Sequence, residues 1–177
     1  MTIREDIEKI NAALVGSPWM ANLTAALESK TDVALIVGTV DNCALIRDMF
    51  GLVSLDHVFP VIDRVLYERF GDYSVWWGAV FPYFLILLTG DEAKNAAGIA
   101  EPIRATVESM AFDERFNVTM HFGVTEASST WTTAGRFRGL LNAADAAIDV
   151  GKRKMVTNKV YEPANLNTYR ETIAKRR

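Results

Sequence analysis

Apolar positions recur along this chain with two different periods, and the changes between them mark out its elements. Ile3, Ile7, Ile10 and Leu14 fall at helical spacing. Gly16, Ser17 and Pro18 then punctuate before a second helix predicted from about Trp19 to Ser29. Val33 to Val40 is an unbroken, β-branched apolar run between polar Lys30–Asp32 and Asp41–Asn42, as a buried central strand would be. A helix is predicted from Asp41 to near Gly51, with Asp41 or Asn42 as cap. Another runs from about Leu55 to Phe70, carrying Val58, Ile62, Val65, Leu66 and Phe70 on one face. Tyr73 to Leu88 is aromatic and β-branched with Gly78 and Pro82 in its middle, which suits two antiparallel strands joined by a turn. Thr89, Gly90, Asp91 and Glu92 have the letters of a capping box opening a helix toward Met110. Phe116 to Val124 alternates as a strand, Ala134 to Lys154 is helical, and Asn158 to Tyr161 closes as a short strand.

After the two opening helices (3–29) the order is βααββαβαβ. It predicts an α/β (α+β) layered domain whose mixed, largely antiparallel sheet of about five strands lies under helices. No linker, low-complexity stretch or repeat divides the chain, so residues 1–161 read as one domain and 162–177 as a tail. In that tail Leu166, Tyr169 and Ile173 stand at spacings of three and four before Lys175, Arg176 and Arg177, so it is helical and amphipathic or a solvated end.

Composition narrows the function classes. With 177 residues and 50% hydrophobic content the chain can bury a core without disulfides or metals. Its 19 basic and 22 acidic side chains leave a charge of -3, so no chain-wide basic field favours nucleic acid or an anionic membrane. The longest apolar runs are strand-sized and the first residues lack the apolar stretch of a secretory signal, which leads to an expected cytoplasmic location without membrane insertion. Cys43 has no partner for a disulfide. His57 and His121 are too far apart in sequence to suggest a zinc site.

Several segments together resemble the GGDEF domains of diguanylate cyclases, which join two GTP molecules into cyclic di-GMP. Residues 144–152 (ADAAIDVGK) are similar to that family's A-D-x-A-L-Y-x-A-K helix, and Asn158, Lys159 and Val160 to the N-R-V strand after it, with one residue inserted. Val118 to Val124 resembles its V-T-V-S-I-G-V strand. Ile46 to Gly51 resembles I-N-D-x-x-G, and Asp56 falls at the aspartate of G-H-x-x-G-D. The resemblance spans about residues 4 to 161. It implies two-metal phosphoryl transfer, with magnesium held by carboxylates at the end of the first strand and in the hairpin.

Those carboxylates are missing. The first-strand position is Thr39, the hairpin signature is replaced by Val80, Phe81, Pro82, Tyr83 and Phe84, and Asp41 is the one carboxylate nearby. The guanine-reading asparagine has become Arg47, although Asp56 remains. The resemblance therefore implies a degenerate, catalytically inactive domain with no metal or cofactor, acting as a signalling adaptor through a protein partner or self-association. The letters G-D-E at Gly90–Glu92 are a decoy, since they follow a strand and open a helix.

Three features carry alternative or residual functions. Arg69, Phe70, Gly71, Asp72 is similar to the R-x-x-D site at which GGDEF domains bind cyclic di-GMP, which would make the chain a receptor. Its ordinary explanation is a helix end, with Arg69 favoured by the dipole and Gly71 as cap. A receptor for cyclic di-GMP or GTP would use Arg69 and Asp72, or Asp56 with Lys152, a lysine that matches the family's phosphate-contacting one. The hairpin aromatics Trp76, Trp77, Phe81 and Tyr83 offer an interface if one face of the sheet is open. A divergent active nucleotidyl cyclase, importing an acid from elsewhere, is the remaining alternative.

Overall fold

The computed structural model describes residues 3–77, 83–125, 127–128 and 158–162, with side chains from Glu8 onward. The predicted helix over 134–154, Lys152, the hairpin turn 78–82 and the tail from 163 lie outside the described residues.

Helices α1 (Ile3–Leu14) and α2 (Pro18–Glu28) precede strand β1 (Val33–Val40). Then come α3 (Cys43–Phe50), α4 (Leu52–Phe70), β2 (Val75–Trp77), β3 (Tyr83–Thr89), α5 (Ala96–Ser109), β4 (Met120–Val124) and β5 (Val160–Tyr161). The strands form one sheet in the order β2-β3-β1-β4-β5. Every pairing is antiparallel except β4 with β5, so the sheet is mixed and largely antiparallel as the sequence predicts.

All eight residues of β1 are buried, because helices cover both faces of the sheet. Val33, Leu35 and Val37 pack with Ile10, Leu14, Trp19 and Leu23 of α1 and α2. Ala34, Ile36 and Val40 face Val58, Ile62 and Leu66 of α4 and Ala100, Ile103 and Val107 of α5. That double cover is why the strand reads as a continuous apolar run instead of an alternating one. Gly38 is obligatory in this packing: a Cβ there would stand 2.5 Å from Cε1 of Phe122, the residue opposite it on β4.

Local capping chemistry departs from the sequence reading at three places. Helix α3 starts only at Cys43; Asn42 precedes it in a left-handed conformation (φ 56°) and its side chain caps nothing, while Asp41 is turned into the sheet. Helix α4 starts three residues earlier than expected, at Leu52, because Gly51 with φ 85° lets the chain turn sharply between the two helices. The capping box does not form. Thr89 is consumed as the last residue of β3, opposite Val33, and the chain then makes a short 3₁₀ turn (Glu92–Asn95) beside an Asp91–Lys94 ion pair before α5 begins.

The strand expected from Phe116 is shorter, starting at Met120. Asp113 and Phe116 instead close a small bridge, with Phe116 stacked on Phe50 of α3. Arg115 grips Asp113 through its backbone and side chain and holds that carboxyl down to about 2. Among the described residues no helix is long and apolar enough to cross a membrane.

Candidate functional site

Strand register determines what meets at the end of β1. Thr39 lies opposite Tyr83 on β3 and opposite His121 on β4, so the three side chains share the sheet face that α1 and α2 cover. Alternation puts Asp41 on that face as well. All four are buried.

The Asp41 carboxylate is fully engaged by the protein. Its Oδ2 accepts from the Thr119 hydroxyl at 2.7 Å and from the Asn158 backbone N–H at 2.8 Å, while Oδ1 accepts from Nδ1 of His121. The Asp41 N–H in turn donates to the Thr119 carbonyl at 2.9 Å. With its side chain only 1% exposed, the carboxylate leaves no oxygen facing water. Three donors occupy three of the roughly four lone-pair positions that a carboxylate offers. Among the described residues, Nε2 of the same histidine is buried without a hydrogen-bond partner.

A second layer fixes the donors. Asn158 adopts a left-handed conformation (φ 54°), unusual for a residue other than glycine, and presents its N–H to Asp41. Its side chain is clamped by α5, accepting from Arg104 at 2.7 Å and donating to Glu108 at 2.8 Å. Arg104 also pairs with Glu101 and Glu108, and these contacts, first Arg104 and then Asn158, hold the Glu108 carboxyl below its usual range. Tyr161, on β5, has its phenol pushed up by burial and further by the Asp41 carboxylate. His121, Thr119, Arg104 and Glu108 are the residues that sequence reasoning missed. Their only signal is non-local, since Thr119, His121 and Asn158 stand 78, 80 and 117 residues from Asp41.

These donors do not fit a pair of magnesium ions. Thr39 is buried and neutral, both Asp41 oxygens already bind protein donors, and residues 80–84 of the hairpin contain no acid. Among the described residues no group of three His, Cys, Asp or Glu side chains stands where it could hold a metal ion.

The nucleotide-reading candidates lie outside this network, on the surface. Arg47 on α3 is exposed and pairs with its neighbour Asp48 at 3.0 Å, and Asp56 is exposed on α4. Around them the chain exposes large aliphatic side chains: Leu45 (56%), Met49 (65%), Leu52 (68%) and Val53 (65%). Arg69 and Asp72 are exposed at the far end of α4, with the Arg69 guanidinium 5.2 Å from the Phe70 ring centroid and Gly71 at φ 76° as the sequence predicts for a helix end.

The hairpin aromatics turn mostly inward. Tyr83 and Phe84 are fully buried, which corrects the expectation of Tyr83 as an interface residue: it is core between the sheet and α1–α2. Trp77 is half-buried and stacks on Phe59 (5.6 Å) and Phe84 (5.7 Å), and half-buried Trp76 packs against the opposite core. Val80, Phe81 and Pro82, like Lys152, fall outside the described residues.

No protein-family model matches the sequence, and no curated protein matches it. Solved structures do match. The active GGEEF domain of a diguanylate cyclase from Vibrio cholerae superposes with TM-score 0.65 at 22% identity, over 81% of this chain and 92% of that one. The GGDEF domain of DgcB from Caulobacter crescentus, solved with c-di-GMP, gives 0.64 at 21% identity over 81% and 82%. Diguanylate cyclase SiaD from Pseudomonas aeruginosa, solved with its activator SiaC, gives 0.65 at 22% identity over 89% of this chain and 66% of that one. The element order, the mixed sheet and these superpositions agree: this chain has the fold of the GGDEF domains.

Proposed function

We propose that this GGDEF-fold chain does not cyclise GTP and works in the cytoplasm as a signalling adaptor through protein contacts. The observation that carries the reading is the closed state of Asp41. A carboxylate that binds Thr119, His121 and Asn158 inside the sheet has no oxygen left to organise a dication, and neither Thr39 nor residues 80–84 replace it. Without metals the triphosphate has nothing to polarise it. The surface beside this point supports protein contact instead, because Leu45, Met49, Leu52 and Val53, near Arg47 and Asp56 in the chain, are large exposed aliphatics. SiaD, of the same fold, is a precedent for a protein partner, since its structure holds SiaC.

A second reading has its own support. Arg69 and Asp72 are both exposed at the end of α4, and the DgcB domain was solved with c-di-GMP, so a receptor role for this pair is chemically sensible. The two readings and the enzyme separate in one set of measurements on the purified chain. Incubation with GTP and Mg²⁺ followed by chromatography gives no cyclic di-GMP if the adaptor reading holds; product refutes it and restores the divergent cyclase. A rise in Tm with cyclic di-GMP that Arg69→Ala abolishes establishes the receptor.

A further inference from the structure

The corner between α3 and α4 is inside out for a globular domain. Leu45 and Met49 stand one turn apart on α3, and Leu52 and Val53 open α4 immediately after Gly51. All four are more than half exposed, while Ile46 of the same short helix is buried. At roughly 100 Å² each they make an apolar patch on the order of 400 Å², a size that marks interaction sites on monomers.

Its charges limit what can cover it. Among the described residues Arg47 pairs with Asp48 at 3.0 Å, and Arg115, 5.4 Å from the Phe50 ring centroid, pairs with Asp113 at 2.7 Å. The unpaired acid beside the patch is Asp56, next to exposed His57 and one helical turn past Leu52 and Val53, on a chain whose net charge is -3. A second copy is a poor occupant. A stable symmetric dimer needs about 800 Å² per partner, twice this patch, and an isologous pairing would draw each Asp56 toward its own copy.

Resting on the adaptor reading, we propose that the α3–α4 corner docks an amphipathic helix of a partner protein, with leucine-type anchors spaced i, i+3, i+4 and i+7 and lysine or arginine along its flanks. A helix with three or four anchors matches the patch in area, and basic flanks complement Asp56. Arg47 and Asp48 then form a neutral polar rim, excluding water from the anchors without pulling the helix off register.

The test uses a synthetic 14-residue leucine–lysine amphipathic helix, with a scrambled peptide of the same composition and a leucine–glutamate helix as controls. Backbone amide NMR of the full chain is followed during titration. Expected are shifts concentrated at residues 42–57, an affinity on the order of 100 μM, and at least about tenfold weakening in a Leu45→Gln/Met49→Gln variant whose spectrum is otherwise unchanged. Equal binding of the scrambled or the glutamate peptide, or shifts centred elsewhere, overturns the proposal. So does preferential binding of a peptide of residues 163–177, or a wild-type dimer by sedimentation that the double variant abolishes, since the corner would then serve the chain itself. Failure here leaves the adaptor reading standing, as that reading falls on cyclic di-GMP production from GTP or on a rise in Tm with cyclic di-GMP that Arg69→Ala abolishes.

Discussion

Two neighbouring stretches of this chain invert the usual distribution of polarity. From Thr39 to Asp41 the side chains include a hydroxyl and a carboxylate, and both are buried. From Leu45 to Val53 the chain exposes four large aliphatics. Each inversion carries a cost, and the way each is met differs. The buried carboxylate is offset locally by three donors and a second layer on α5, so its polarity has become part of the scaffold. The exposed aliphatics have no such compensation among the described contacts, and under the proposed function a partner would supply it. A buried polar group that is satisfied is finished structure; an exposed apolar group that is unsatisfied is an open surface. In the cyclase resemblance the same two stretches would hold metal and read guanine. Here the first is closed by protein donors and the second exposes aliphatics.

The strongest way to break this comparison is to remove the carboxylate. Asp41→Ala leaves the Thr119 hydroxyl, His121 and the Asn158 N–H without their acceptor in a dry site, and urea denaturation is expected to show a loss of about 3 kcal/mol or more. Asp41→Asn keeps one acceptor oxygen and is expected to lose less. A loss under about 1 kcal/mol for the alanine variant would mean that the network is not a scaffold, and Asp41 would again be available for chemistry.

How much of this was legible in the sequence depended on how local the cause was. The limits of β1 were legible because burial on both faces imposes an unbroken apolar run, and the buried face of α4 because Val58, Ile62 and Leu66 recur every four residues within its nineteen. The capping box failed because propensity at Thr89 was overridden by tertiary pairing with Val33. Asp41 was legible as an isolated acid but not as a hub, since its partners come from β4 and β5 and meet it only once the sheet order is known. In α3, eight residues with Leu45, Ile46, Met49 and Phe50 are apolar nearly all round, so periodicity gave no means of deciding that Ile46 goes in while Leu45 and Met49 stay out.

A smaller effect sharpens the sealed side. Tyr161 has its folded-state phenol raised, first by burial and then by Asp41, above the value near 10 of an unfolded chain. The stability linked to it is therefore complete below about pH 10 and is lost as pH rises through the folded value. Urea midpoints measured at pH 8 and pH 11 are expected to fall with pH in the wild type and to fall less in Tyr161→Phe. The same double measurement in Asp41→Asn should lie between them, because the carboxylate is the second contributor to the shift. Parallel slopes in all three chains would disconnect Tyr161 from the Asp41 network.

The smallest effect on stability is expected where the proposed function is most exposed. In Leu45→Gln/Met49→Gln both replaced side chains are more than half exposed, glutamine is as good a helix former as the residues it replaces, and the urea midpoint should move by no more than about 0.5 kcal/mol equivalent in either direction. Solubility should rise, since two of the four exposed aliphatics at the corner become polar. A loss of 2 kcal/mol or more would instead show that Leu45 and Met49 pack against the chain itself, and the contrast between a finished interior and an open corner would fail on its second half. The pairing of this near-zero stability change with the large one at Asp41 is what separates the two regions.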